Sequence, residues 1–179
     1  SKATSVSAET LAGYEGKTMS LSTANGQVDF DEKALASIVE NSSGGITLTM
    51  NDLTEDKAYK DKDYGLVVEL KVQDEDGKEL FTEEGDGKAK VTLSYDGEVK
   101  DKDSLKVYRL NGEEEEEIEA LYDADEKTVT FETEHFSVYA VAQQTSSVNI
   151  IIIVSVAVIA VIAAAAAVII RRKRQFDRD

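Results

Sequence analysis

Ile150 to Ile170 constrains this chain more than any other stretch. Twenty-one consecutive residues carry no charge, only Ser155 interrupts the Ile, Val and Ala, and Arg171-Arg172-Lys173-Arg174 follows at once. At about 1.5 Å rise per residue a helix of this length matches the roughly 30 Å hydrocarbon core of a bilayer. A helix buried in a soluble core usually keeps a polar stripe, and none is present here. The stretch therefore predicts a single transmembrane helix.

Charge predicts its orientation. The tail Arg171–Asp179 holds five bases against two acids, so the −16 of the whole chain leaves −19 on residues 1–170. Basic residues beside a span mark its cytoplasmic side. Residues 143–149, on the other flank, carry no charge. These features predict a cell-membrane protein with an extracellular N-terminal domain and a cytoplasmic C-terminus. That topology requires an export signal, and the sequence opens on polar Ser1-Lys2-Ala3-Thr4, so a signal removed beforehand is expected. A tail-anchored cytosolic protein is the alternative, although Arg171–Arg174 would then have to be translocated.

Further limits follow from composition. Without cysteine there are no disulfides and no thiolate metal sites. The absence of proline argues against a Pro-rich stalk. A domain this acidic lacks the basic face that phosphate contact needs, so nucleic acid is not an expected partner. A solubilised exterior is the plain reading of the charge, and divalent cations or basic partners are the functional one.

The chain before the span reads as mainly β: an antiparallel β-sandwich with one or two short helices. Residues 1–6 look like a loose leader and residues 7–142 like the domain. Residues 143–149 are the linker, 150–170 the span and 171–179 the basic tail. Ser7 can cap a short helix, and a hairpin follows in which Met19 and Leu21 answer Val28 and Phe30 across Asn25-Gly26. Asp29 or Asp31 can cap a helix with Ala34, Leu35, Ile38 and Val39 on one face, ended by Gly44-Gly45. Period-two alternation then runs through Ile46–Met50, Leu66–Val72, Leu80-Phe81, Val91–Tyr95, Leu105–Val107, less regularly Ile118 and Leu121, then Val129–Phe131 and Val138–Ala142. Residues 54–63 and Glu113–Glu117 read as exposed loops. Seven linker residues reach at most about 23 Å, which keeps the sandwich close to the bilayer.

The segment Val129-Thr130-Phe131-Glu132-Thr133-Glu134-His135-Phe136-Ser137-Val138-Tyr139-Ala140-Val141, together with Leu105-Lys106-Val107-Tyr108, resembles a β-sandwich module of cell-surface proteins from clostridia-like Firmicutes and some archaea. The helix, hairpin and helix expected between Ser7 and Glu40 are similar to the opening of that module, so the likeness covers about residues 7–142. It implies a surface location near a membrane or wall anchor and, for most members, no assigned activity. Prolines usual at the module's turns are missing here.

His135-Phe136-Ser137 also resembles the cleavage motif of self-cleaving β-sandwiches related to ankyrin and netrin-receptor domains. That resemblance implies attack of the Ser137 hydroxyl on the Phe136 carbonyl with help from His135. A hydroxyl gains nucleophilicity from an adjacent base, and a strained peptide supplies driving force. In the plainer reading His135 sits at a turn, Phe136 fills core and Ser137 bonds locally. His135 is the sole histidine, so a Ser-His-Asp triad or a zinc site of the usual kind is not expected. Calcium candidates are Asp74 and Asp76, in a stretch that reads first as an Asp-Gly turn, or Asp61 and Asp63; neither stretch fits the twelve-residue loop with its terminal Glu. Within the span, Ala160, Ala163, Ala164 and Ala167 give small-xxx-small spacings that would let two helices pair closely as a homodimer.

No cofactor is expected. The expected function is a non-catalytic one at the cell envelope, in adhesion, surface-layer attachment or spacing, with the bilayer as partner and a surface protein or glycan as the ligand class. The alternative is a signalling or processing module cut between Phe136 and Ser137.

Overall fold

A computed structural model describes residues 2–144, apart from residues 15 and 113. The expected span Ile150–Ile170, the Arg171–Arg174 cluster and the alanines at 160, 163, 164 and 167 lie outside the described residues. Among the described residues no helix is long and apolar enough to cross a membrane.

The strands in chain order are β1 (Ala3–Val6), β2 (Met19–Thr23), β3 (Gly26–Phe30), β4 (Ile46–Asp52), β5 (Leu66–Asp74) and β6 (Glu79–Leu80), then β7 (Ala89–Ser94), β8 (Leu105–Asn111), β9 (Glu114–Ile118), β10 (Ala120–Asp123), β11 (Thr128–Thr133) and β12 (Val138–Gln143). Helix α1 (Ala8–Ala12) precedes β2 and α2 (Glu32–Asn41) precedes β4. One sheet has the order β1-β4-β5-β12-β8-β9, with β6 also paired to β5, and the other the order β10-β11-β7-β3-β2. Neighbouring strands are antiparallel throughout. The chain is mainly β, as its alternation predicts, and the two sheets face each other as a sandwich.

Period two explains the core. Leu48 and Met50 of β4, Val68, Leu70 and Val72 of β5, Val28 and Phe30 of β3, Val91 and Leu93 of β7, and Tyr139 and Val141 of β12 are all buried in one cluster. Each such side chain contributes roughly 1.5–3 kcal/mol on burial. Helix α2 adds Ala34, Leu35 and Ile38 to the same cluster. Its cap is Asp31, whose Oδ1 accepts from Ala34 N–H at 2.7 Å. The alternative, Asp29, is occupied on β3 by Ser20 Oγ at 2.6 Å and Gln27 Nε2 at 2.7 Å.

Several expectations are corrected. The stretch read as a leader forms β1 from Ala3 onward, because β4 presents an open edge that pairs Val6 with Ile46 and Ala3 with Thr49. The acidic run read as a loop is strand β9 from Glu114, held by its register on β8, with Glu116 opposite Arg109 and Glu117 opposite Tyr108. Residues 54–63 do not simply hang in solvent. Leu53, Tyr59 and Tyr64 pack on the outer face of the first sheet, over Val67, Leu110 and Ala140. That packing explains why β12 is apolar on both faces, with Tyr139 and Val141 inward and Val138 and Ala140 outward. Of the linker expected at 143–149, Gln143 closes β12 opposite Leu105 and Gln144 N–H donates to Ser104 O at 2.7 Å, while residues 145–149 lie outside the described residues. Helix α2 stops at Asn41, ahead of the two glycines.

The first hairpin turns on Ala24-Asn25, with Gly26 already the opening residue of β3. Gly26 is required by close approach: a Cβ there would lie 2.1 Å from the Thr92 carbonyl oxygen on β7. Asn25 instead ties the sheets together, its Nδ2 donating to Met50 O at 2.9 Å.

Candidate functional site

Strand pairing alone brings the sole histidine to the one arginine of residues 1–170. Along β8, Leu105 and Val107 point into the core, and the same alternation turns Arg109 inward at the end of the strand. Its neighbour on β12 is Tyr139, and the turn from β11 to β12 carries His135. Arg109 Nη1 lies 2.8 Å from His135 Nε2 and 3.3 Å from Nδ1. A guanidinium can only donate, so the ring accepts at Nε2 and carries its proton on Nδ1. The other guanidinium nitrogen donates to Glu116 on β9, and Glu84 Oε1 stands 4.0 Å away.

Glu84, Arg109, Glu116, Glu132, Glu134 and His135 line an open cleft of about 400 Å³. Burial pushes the His135 pKa down, and the Arg109 charge adds to that; Glu84, Glu116 and Glu134 pull it partly back. The imidazole is thus held neutral against a cation in an otherwise acidic setting.

The backbone below the ring is fixed from several directions. The His135 carbonyl oxygen accepts from Thr133 Oγ1 and from the Tyr139 hydroxyl, both at 2.7 Å. Tyr139 is fully buried, which pushes its pKa up to about 12 and keeps the hydroxyl protonated as a donor. Phe136 N–H donates to Phe81 O at 2.9 Å, and Leu70 N–H donates to Ser137 O at 3.0 Å. The Phe136 ring enters the core beside Phe81 and Phe30, with centroids 5.1 and 5.8 Å away.

The three motif residues therefore point to three places. His135 faces the cleft, Phe136 the core, and Ser137 Oγ reaches Leu110 O at 3.5 Å. No hydrogen bond joins the His135 ring to the Ser137 hydroxyl among the described residues. Positive φ at non-glycine positions occurs at Phe81 (57°) and Lys127 (52°), not at Phe136 or Ser137. The strained residue is thus the one whose carbonyl receives the Phe136 amide.

Asp74 and Asp76 are brought together by the turn after β5. Asp74 Oδ1 accepts from Asp76 N–H at 3.0 Å and Lys78 N–H at 2.9 Å, and Oδ2 from Ser43 N–H at 3.2 Å and Ser43 Oγ at 3.0 Å. Burial alone would raise the Asp74 pKa, but these hydrogen bonds outweigh it and hold the carboxyl below its usual value. The carboxylate organises a turn. Among the described residues no group of three or more His, Cys, Asp or Glu is arranged to hold a metal ion.

Arg109, Glu84 and Glu116 are not singled out by motif, whereas Thr133 and Tyr139 lie in the Val129–Val141 segment with no role assigned to them there. Arg109 did carry a signal, as a single arginine among lysines two residues before an Asn-Gly turn, facing an acidic return strand. Glu84 carried none, because its approach depends on a loop distant in sequence. No family model matches the chain, and no curated protein matches it.

Proposed function

We propose that the protein is a single-pass membrane protein of the cell envelope, presenting an acidic β-sandwich outside the cytoplasm in a non-catalytic role such as adhesion, surface-layer attachment or spacing. The observation that carries this reading is the uncharged run Ile150–Ile170 followed directly by Arg171–Arg174. The absence of cysteine and the net charge are compatible with an exposed domain that needs no disulfide.

The candidate site supports a structural role over a catalytic one. A nucleophile needs a base within hydrogen-bond reach, and here the imidazole is engaged by Arg109 while Ser137 turns to Leu110. The acids also have structural employment. On β9, Glu115 pairs with Lys62 at 3.7 Å and Glu117 with Lys106 at 2.9 Å, and a charged edge strand resists pairing with other sheets.

Protease added to intact cells tests the location. Digestion of residues 1–144, with a membrane-retained fragment containing residues 150–179, is expected. Protection of the domain until the cells are lysed defeats the reading. The intact mass of the purified protein tests the role: a single chain is expected, and two fragments meeting at Phe136 and Ser137, abolished by Ser137→Ala, favour the processing alternative instead.

A further inference from the structure

The connection from α2 to β4 opens with Asn41-Ser42-Ser43. Asn-x-Ser, with x other than proline, is the acceptor pattern for N-linked glycosylation. Of the five asparagines at 25, 41, 51, 111 and 149, this one alone is followed two positions later by Ser or Thr. We propose that Asn41 is an N-glycosylation site of the exported chain, an inference that rests on the extracytoplasmic location argued above.

The local structure suits a bulky polar substituent. Asn41 is exposed and is the last residue of α2; Ser42 is already extended, at φ −81° and ψ 139°, and Gly44-Gly45 follow. The Asn41 Nδ2 donates to Ser37 O at 2.9 Å, on the exposed side of the helix end. A glycosylated amide keeps one N–H, so this nitrogen retains a donor after modification. No core packing depends on the side chain, in contrast to Ile38 one turn earlier, which is 1 % exposed.

Position in the domain adds to this. Ile46, just after the connection, pairs with Asp74 at the end of β5, whereas β12 runs toward Leu66 at its start. The nine residues of β5 span about 30 Å. Asn41 therefore lies at the pole opposite to the one from which residue 144 leaves the sandwich.

The reaction needs a sugar donor linked to a polyprenyl diphosphate. The Asn41 side-chain nitrogen bonds to the anomeric carbon, and the bond from that carbon to the diphosphate oxygen breaks. The lipid diphosphate leaves with the electron pair, and the amide gives one proton to a base of the transferase. Ser43 supplies the hydroxyl by which the transferase reads the acceptor. In the folded domain that hydroxyl bonds to Asp74, so transfer takes place before the Ser43–Asp74 contact closes.

The full chain, isolated from the envelope of cells that produce it, provides the test through intact mass and glycopeptide mapping. A mass excess over the polypeptide is expected on the peptide containing Asn41. It is lost in Asn41→Gln, which leaves the core untouched, and kept in Ser43→Thr, which retains both the acceptor pattern and a hydroxyl for Asp74. An excess that persists in Asn41→Gln overturns the assignment. So does an unmodified Asn41 in a chain that external protease reaches on intact cells, and in that case the location stands. A chain that protease cannot reach removes the location and the glycosylation site together.

Discussion

At the scale of single residues, His135 offers the cleanest readout, since no other histidine titrates. Burial and Arg109 depress its folded pKa below the ordinary 6.5, so as pH falls the unfolded chain takes up the proton first. Stability is therefore undiminished above about pH 6.5, declines as pH drops through the interval between the two pKa values, and levels off below the folded one. An NMR titration should place the imidazole below 6.5. In Arg109→Gln it should move upward, because Glu84, Glu116 and Glu134 remain while the cation is gone; an unchanged value would refute the Arg109 assignment. Phe136 is tested differently. Its ring fills the junction of Phe30 and Phe81, so Phe136→Ala should cost about 3–5 kcal/mol in urea unfolding. A loss near zero would mean that the ring is not a core element. The chemistry of Phe136 was legible, since an aromatic between polar residues in a strand-rich region belongs inside. The partner of His135 was not, because Arg109 meets it only through the pairing of β8 with β12.

At the scale of elements, α2 is held by a contact that its own sequence does not reveal. Asp31 accepts from Ala34 N–H inside the helix and, through Oδ2, from Lys88 N–H at 3.0 Å on the approach to β7. Asp31→Ala should thus cost about 1–2 kcal/mol, and Asp29→Ala less, because Asp29 has mostly exposed hydroxyl, amide and lysine partners. Equal losses in urea titrations would show that the cap is misassigned. Gly87, with φ 102°, passes so close to the helix start that a Cβ would lie 2.2 Å from Ala34 N. Gly87→Ala should be the more damaging change, at about 2 kcal/mol or more, since neither backbone can yield without moving the cap. Alternation alone located nearly every strand, because period two survives whatever a strand pairs with. It missed β1, whose Ala3-Thr4-Ser5-Val6 has little apolar signal, and β9, where repulsion among adjacent glutamates suggests a loop; it also ran together Ile118 of β9 and Leu121 of β10, where Ala120 and Tyr122 face the core and Leu121 is exposed. β1 becomes a strand because distant β4 supplies its partner edge, and β9 because the hairpin with β8 sets Arg109 opposite Glu116 and brings Lys106 to Glu117. The outer-face packing of Tyr59 and Tyr64 was hidden for a similar reason: their segment is polar overall, and only its contact with Ala140 and Leu110 shows what the tyrosines cover.

At the scale of the whole molecule, charge and topology dominate. The −19 carried by residues 1–170 repels itself when the domain is folded, and salt screens that repulsion over about 10 Å at 0.1 M. Raising the salt from about 0.01 M to about 0.15 M should stabilise the domain by about 1 kcal/mol, or roughly 4 °C in thermal midpoint. A falling midpoint would mean that the ion pairs of Lys62, Lys106 and Arg109 outweigh the general repulsion. The cleft at His135 and the loop at Asn41 both lie at the pole away from residue 144, whereas sequence order gave no hint that they are neighbours in this sense. A last consequence comes from the placement of β12, the final strand among the described residues, between β5 and β8 in the middle of its sheet. Ladder hydrogen bonds run perpendicular to the strands, so a pull on residue 144 along β12 loads the rungs on both sides at once in shear. Peeling from an edge would break them one after another. Pulled through such a strand, the domain behaves as a mechanical clamp and resists being drawn out from that end.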